Sequence, residues 1–308
     1  MGDVGVSCWG GGVGDLGSVP QAMKILVTGG AGFIGQHVCW NLIEQNHDVT
    51  ILDLTRAYGT IWCDVRNIES EPCQGFDCIV HLAAKTSVPD SFSDPLETES
   101  VNVGGTIAVL EAARKAGVKR VVIASSSSAG LAISPYGASK RAVENYAAIY
   151  RETYGMEVIC LRYFNVYGPG ARKGVIFKFM EAMYHDAPVV IYGDGGQDRD
   201  FTYVDDIVKA TVMACSVNLD EINPFYEVGS GAPCSVNELA HLVHIISGIK
   251  FESIYHESPR IGDIRHSQSS YWSWLPTYAP SITLVEGLGK TWDWYKSDAH
   301  LRQPIETL

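Results

Sequence analysis

The sequence predicts an α/β protein, a doubly wound parallel sheet with a smaller C-terminal substrate-binding region. Three observations predict it. A glycine-rich turn joins an apolar strand to a helical pattern, the strand after that helix ends on an acidic residue, and apolar runs then alternate with helical patterns to about Gly168.

The first strand, Ile25 to Thr28, is a continuous apolar run of the kind buried on both faces. Gly29, Gly30, Gly32 and Gly35 punctuate the turn and the helix start, with Phe33 and Ile34 between them. Ile34, Val38 and Leu42 recur at i, i+4 and i+8, one helical face. The second strand, Val49 to Leu52, ends at Asp53. Glycine lets a backbone approach a pyrophosphate, and the free N–H groups of a helix start bind it. Asp53 stands about 20 residues beyond, where a carboxylate bonds both hydroxyls of an adenosine ribose and repels a 2′-phosphate. The unit is therefore a Rossmann-type site for NAD in preference to NADP.

Strand-like runs follow at 78–84 ("CIVHLAA"), 120–125 ("RVVIAS"), 157–163 ("EVICLRY") and 189–193 ("VVIYG"). Helical patterns at 104–117 and 138–155 lie between them, which predicts a parallel sheet covered on both faces. The expected organisation is a Gly-rich flexible extension over 1–22, ahead of a start at Met23, and an NAD-binding domain over 23–168. Part of 189–215 returns to that domain, and 169–308 is mainly the substrate-binding region.

A net charge of −12 lacks the basic face that nucleic acid requires. No apolar run approaches the length of a membrane span, and residues 1–22 lack the basic start and apolar centre of a signal peptide. Eight cysteines without a Cys-x-x-Cys pair read as reduced thiols, and they predict no metal site. Together these predict a cytoplasmic protein.

Residues 124–140, "ASSSSAGLAISPYGASK", carry a serine cluster and a Tyr-x-x-x-Lys pair. The spacing alone is common by chance. It places Lys140 one helical turn from Tyr136 on the same face. A phenol with an ordinary pKa of about 10 becomes a base near neutrality only when positive charge stabilises the phenolate.

"TGGAGFIG", Asp53, "CDV" at 63–65, "HLAA", "NVGGT", "YGASK", "LRYFNVYGPG" and "GDGGQDRDFTYVDD" together resemble the extended short-chain dehydrogenases. Within these they resemble the NAD-dependent nucleotide-sugar epimerase and dehydratase family, from Met23 to about Tyr295. The resemblance implies that Asp64 and Val65 hold the adenine, and that Leu82, Ala83 and Ala84 lie along the cofactor. Asn102 and Tyr163 would flank it. Tyr136 would be the base, with Lys140 on the nicotinamide ribose and Ser126 orienting the reacting hydroxyl, although Ser125 or Ser127 could hold that place. Thr86, Asn165, Arg199, Arg260, Asp263 and Ser267 would meet a nucleotide-sugar substrate, the two arginines on its diphosphate. Bidentate guanidinium forks suit phosphate oxygens.

The family's dehydratases carry an acidic pair just after the serine, and its decarboxylases a glutamate. Here Ser127, Ser128 and Ala129 follow, which favours a UDP-hexose 4-epimerase. "GDIRHS" is most similar to enzymes acting on UDP-N-acetylhexosamines, where a small Ser267 leaves room for the acetyl group. A 4,6-dehydratase, a keto-reductase and a non-catalytic NAD or nucleotide-sugar binder stay open. The link from serine to tyrosine is also much shorter than the family's. The resemblance further implies a homodimer packed through the helices after Asn102 and Tyr136.

Overall fold

The computed structural model describes residues 22–56, 59–218, 222–249 and 254–299. Apart from Ala22, the extension expected over 1–22 lies outside the described residues.

The glycine turn connects β1 (Lys24–Thr28) to α1 (Phe33–Glu44), which returns through β2 (Asp48–Asp53) and β3 (Thr60–Trp62). Next come β4 (Cys78–His81), two short helices α2 (Val88–Ser93) and α3 (Pro95–Glu99), and α4 (Gly105–Ala116). Then follow β5 (Arg120–Ser126), α5 (Pro135–Tyr154) and β6 (Glu157–Tyr163). The remainder comprises β7 (Val166–Tyr167), α6 (Val175–Tyr184), β8 (Val189–Tyr192), β9 (Asp198–Asp200), β10 (Thr202–Tyr203) and α7 (Val204–Ser216). It ends with β11 (Tyr226–Val228), β12 (Pro233–Ser235), α8 (Val236–Ser247), β13 (Ile254–Glu257) and α9 (Leu284–Ala299).

Seven strands form one parallel sheet in the order β11-β6-β5-β4-β1-β2-β3. One apolar core lies on each face. Val38 and Leu42 of α1 and Ile207 of α7 belong to the first, Val109 of α4 and Val143 of α5 to the second. Strand order reverses between β1 and β4, and the crevice beyond the strand ends at such a switch point is where doubly wound sheets bind ligands.

Two strands of this sheet escape the sequence pattern, because β3 and β11 have only three residues each and show no readable period. One expectation is corrected. Val189–Tyr192 does not join the sheet but pairs in parallel with β13. Its alternation of buried and exposed residues suits a strand covered on one face, whereas β1 is buried from Ile25 onward.

Candidate functional site

The glycine turn leaves no room for side chains at Gly29 or Gly35. Gly29 has φ +72°, and a Cβ there would stand 2.6 Å from the Ala83 nitrogen. A Cβ on Gly35 would collide with the Gly29 carbonyl, so α1 can start this close to the turn only without one. Gly32 is exposed at the helix start, with Phe33 and Ile34 half-buried behind it. The cradle therefore presents bare backbone and a helix N-terminus, which fits the pyrophosphate of a dinucleotide. Asp53 closes it from β2, accepting from the Ala31 N–H at 3.0 Å and the Thr55 N–H at 2.8 Å.

Asp64 caps the short turn after β3 and is gripped by Arg66, whose guanidinium also reaches Glu97 at 3.0 Å. The Val65 side chain is buried against Gly105, so a cofactor contact from this residue would come from its backbone. Leu82 continues β4 by donating to the Thr28 carbonyl, and Ala83 and Ala84 follow, half-buried. Behind them His81 is buried between the Thr28 hydroxyl (2.7 Å) and the Thr106 hydroxyl (3.0 Å). Thr106 spends its only proton on the Asn102 carbonyl, so His81 carries its proton on Nε2 and accepts on Nδ1. Burial lowers its pKa to about 3, with the Lys140 charge adding to the effect.

Asn102 sits in a π-helical turn, Ser100–Gly104, that leads into α4. Its amide donates to the Lys85 carbonyl and to Ser139 Oγ, and its carbonyl accepts from the Lys85 N–H. It thereby ties the loop after β4 to α5. Thr86 is exposed on that same loop.

Helix α5 starts where it must for a Tyr–Lys pair to face the strand ends. Ser134 caps it by accepting from the Gly137 N–H, and Pro135 occupies the first turn. Tyr136 is 8% and Lys140 5% exposed. Burial raises the Tyr136 phenol above its ordinary value, while a hydrogen bond to Ser126 works the other way. Burial pushes Lys140 down to about 8, and its ammonium donates to the Ala124 carbonyl at 2.7 Å. Burial alone thus opposes the phenolate, and a base at Tyr136 needs positive charge close by.

The structure separates the serines. Ser125 points toward α5 and donates to Glu144, whereas Ser126 points the other way along the strand, stands beside Tyr136 and accepts from the Ser128 N–H. Ser127 begins a single tight turn ending at Ala129. Arg141 of α5 clamps the short link by donating to the carbonyls of Ala129 and Gly130. A side chain at Gly137 would meet the Ser128 carbonyl at 2.7 Å.

Farther out, Asn165 adopts φ +25° and donates to the Asp200 carbonyl. Arg199 pairs with Asp263, bringing two of the expected residues together. Arg260 instead lies 3.8 Å over the Tyr192 ring. The backbone of Ser267 runs alongside β9, bonding Asp198 and Asp200. The Tyr163 hydroxyl points into α7, 2.7 Å from Thr211 Oγ1, so a cofactor contact there would come from the backbone. A cavity of about 100 Å³ opens beside Asn165, lined by Phe177, Phe201 and Trp294. The seven described cysteines are free thiols, and no cluster of metal ligands occurs among the described residues.

Three buried groups were missed in the sequence. Glu144 lies eight residues after Tyr136 on the same helix face. Arg162 is a lone charge in an apolar strand, and Asp200 accepts from Ser230, Gly231 and Ser269. A charge at a position whose pattern demands an apolar residue was the available signal.

This cradle, acid-ended strand and buried Tyr–Lys pair define a dinucleotide-binding protein of the dehydrogenase type. More narrowly, the chain belongs to the NAD dependent epimerase/dehydratase family, whose sequence profile matches residues 25–229. NAD is its cofactor. The chain is 36% identical to a Methanocaldococcus jannaschii protein named "Putative UDP-glucose 4-epimerase", over 89% of this chain and 99% of that one. It is 30% identical to a mouse dTDP-D-glucose 4,6-dehydratase, over 91% and 90%. Among solved structures, a UDP-N-acetylglucosamine 4-epimerase from Methanobrevibacter ruminantium M1 in complex with UDP-N-acetylmuramic acid is similar at TM-score 0.83. The identity is 29%, covering 90% of this chain and 99% of that one. MoeE5 in complex with UDP-glucose and NAD is similar at TM-score 0.83 and 31% identity, with the same coverage.

Proposed function

We propose that the protein is an NAD-dependent UDP-hexose 4-epimerase, with a UDP-N-acetylhexosamine as the substrate that the small Ser267 favours. The observation that carries this is the group Ser126, Tyr136 and Lys140, with no carboxylate in the link between Ser126 and Tyr136. The family's dehydratases and decarboxylases carry an acid at that point, and oxidation with return of hydride needs none there.

Ser126 orients the sugar 4-hydroxyl and Tyr136 takes its proton. Lys140 stabilises the phenolate by its charge. When bound, NAD supplies the chemistry of accepting a hydride from C4 and giving it back. The 4-keto sugar turns over in the site, and Tyr136 returns the proton to the oxygen. Arg199, Arg260 and Asn165 hold the diphosphate, Asp263 the nucleotide ribose, and the aromatic cavity beside Asn165 suits a nucleobase. In a homodimer packed through α4 and α5, the half-exposed Tyr146 and Ile149 of α5 and the exposed Leu96 of the adjoining α3 would be covered.

The test is NMR of the purified protein with UDP-GlcNAc and, separately, UDP-Glc, UDP-GlcA and their C4 epimers, without added NAD. Interconversion at C4 is expected. A 4-keto or decarboxylated product would overturn the epimerase reading. NAD bound without turnover of any substrate would favour a binding protein.

A further inference from the structure

Tyr136, Lys140 and Glu144 follow one another at four-residue intervals on α5, and the reaction above uses only the first two. Glu144 is 4% exposed, far inside the range where a carboxylate needs a partner. It has two. The Ser125 hydroxyl donates to Oε1 at 2.7 Å. Arg162 grips both oxygens, Nε and Nη2 each donating at 2.7 Å. Arg162 stands opposite Ser125 in the β5–β6 register, is itself 6% exposed, and lies 3.2 Å over the Phe225 ring. Its fork is therefore confined between ring and carboxylate.

One turn earlier, Lys140 bonds the carbonyl of Ala124, the residue before Ser125. Helix and strand are thus stapled at two successive residues, and the next residue is Ser126, the partner of Tyr136. An apolar pair of the same volume would serve packing equally well, since buried ion pairs add little net stability. It could not hold the Ser125 hydroxyl.

We propose that Glu144 is a positioning residue for proton transfer, locking the end of β5 to α5 through Ser125 with Arg162 as its fixed counter-ion. The inference rests on Tyr136 and Lys140 being the proton-transfer pair. It gives Glu144 a second effect, through charge. The groups facing this part of α5 are Lys140 itself, Arg141 (3.9 Å from Glu144), Arg162 with Glu227 behind it (4.0 Å), Cys160, and the neutral His81. Replacing Glu144 by glutamine leaves Arg162 short of one negative charge. The added positive potential favours the Tyr136 phenolate and disfavours the Lys140 ammonium, so both ionisations move to lower pH. One charge at a separation on the order of 10 Å moves them by about one unit.

The experiment compares wild type with E144Q, E144Q/R162Q and S125A. It reads kcat/KM against pH and the tyrosinate absorbance that each protein loses on Tyr136→Phe replacement. In E144Q, both limbs and the Tyr136 ionisation should fall by about one unit. In E144Q/R162Q, where the pair is neutral again, they should return toward wild type while kcat stays about 10- to 100-fold low. S125A should lose rate without moving either ionisation. An unmoved Tyr136 ionisation in folded E144Q, or wild-type kcat in E144Q/R162Q or S125A, would overturn the proposal. Should E144Q fail to fold, the charge-neutral double variant and S125A carry the test. Should wild type turn over no nucleotide sugar, the epimerase reading fails, and the Tyr136 absorbance still decides the role of Glu144.

Discussion

Tyr136 and Lys140 are buried, anchored to backbone and to each other's neighbours, whereas Arg199, Arg260 and Asp263 form the outward-facing part of the same proposed site. The Lys140 ammonium has a carbonyl for a partner, and the phenol has a serine. On the outer side Arg199 is paired with Asp263, which is 32% exposed, and Arg260 rests on an aromatic face. The Arg199 side chain is 13% exposed, so it keeps a partner at all times, and a phosphate taking the place of the more exposed Asp263 carboxylate would leave the guanidinium paired. Rearranging the buried end would break several satisfied hydrogen bonds in low dielectric, which is costly. On the proposed reading, one end holds preorganised chemistry and the other an exchangeable grip.

The largest break in that comparison should come from Tyr136→Phe. Removing the hydroxyl should lower kcat by about 10²–10⁴-fold and leave NAD bound, as measured by turnover and by cofactor content after gel filtration. Unchanged kcat would take the base role away from this residue. Arg199→Ala should act at the other end. Losing charge-assisted hydrogen bonds to phosphate should raise KM about 10- to 100-fold with kcat nearly constant. A fall in kcat instead would mean that the outer region also shapes the reacting geometry. Ser267→Tyr should sharpen the contrast further. By filling space beside the sugar it should cut kcat/KM for UDP-N-acetylhexosamines about 10-fold relative to the plain hexoses.

The preorganised end was also the more legible in sequence, for a physical reason. The turn of Gly29 to Gly35, Asp53 and the α5 face of Tyr136 and Lys140 are local patterns, set by periodicity and by close backbone approach. Strands β3 and β11 were not legible because three residues carry no period. Val189–Tyr192 looked like a sheet strand because an apolar run does not reveal its partner, here β13. Likewise nothing local told Ser125 from Ser126, since strand alternation separates them only once Ser125 is known to face Glu144 of α5. The pairing of Arg199 with Asp263 spans a sequence distance that no pattern covers.

A last expected effect concerns stability, and it probes how well the inner end excludes charge. His81 has a folded pKa of about 3 against an ordinary 6.5, depressed chiefly by burial. Its neutral form is what the fold holds, between a donor from Thr28 and an acceptor on Thr106. Above pH 6.5 both folded and unfolded chains carry it neutral, and its contribution is fully present. As pH falls below 6.5 the unfolded chain binds the proton and the folded one does not, so stability is lost progressively toward pH 3. Glu111, held down at about 2 by Arg114, adds a second loss, but only below its ordinary 4.5. The window from pH 6.5 to 5 is therefore free of the Glu111 loss, and there His81 should contribute a slope approaching one proton, about 1.4 kcal/mol per pH unit. Denaturant unfolding at several pH values should show His81→Gln losing that slope. An unchanged slope would mean that the histidine takes up its proton in the folded state, and that the inner end is wetter than its burial implies.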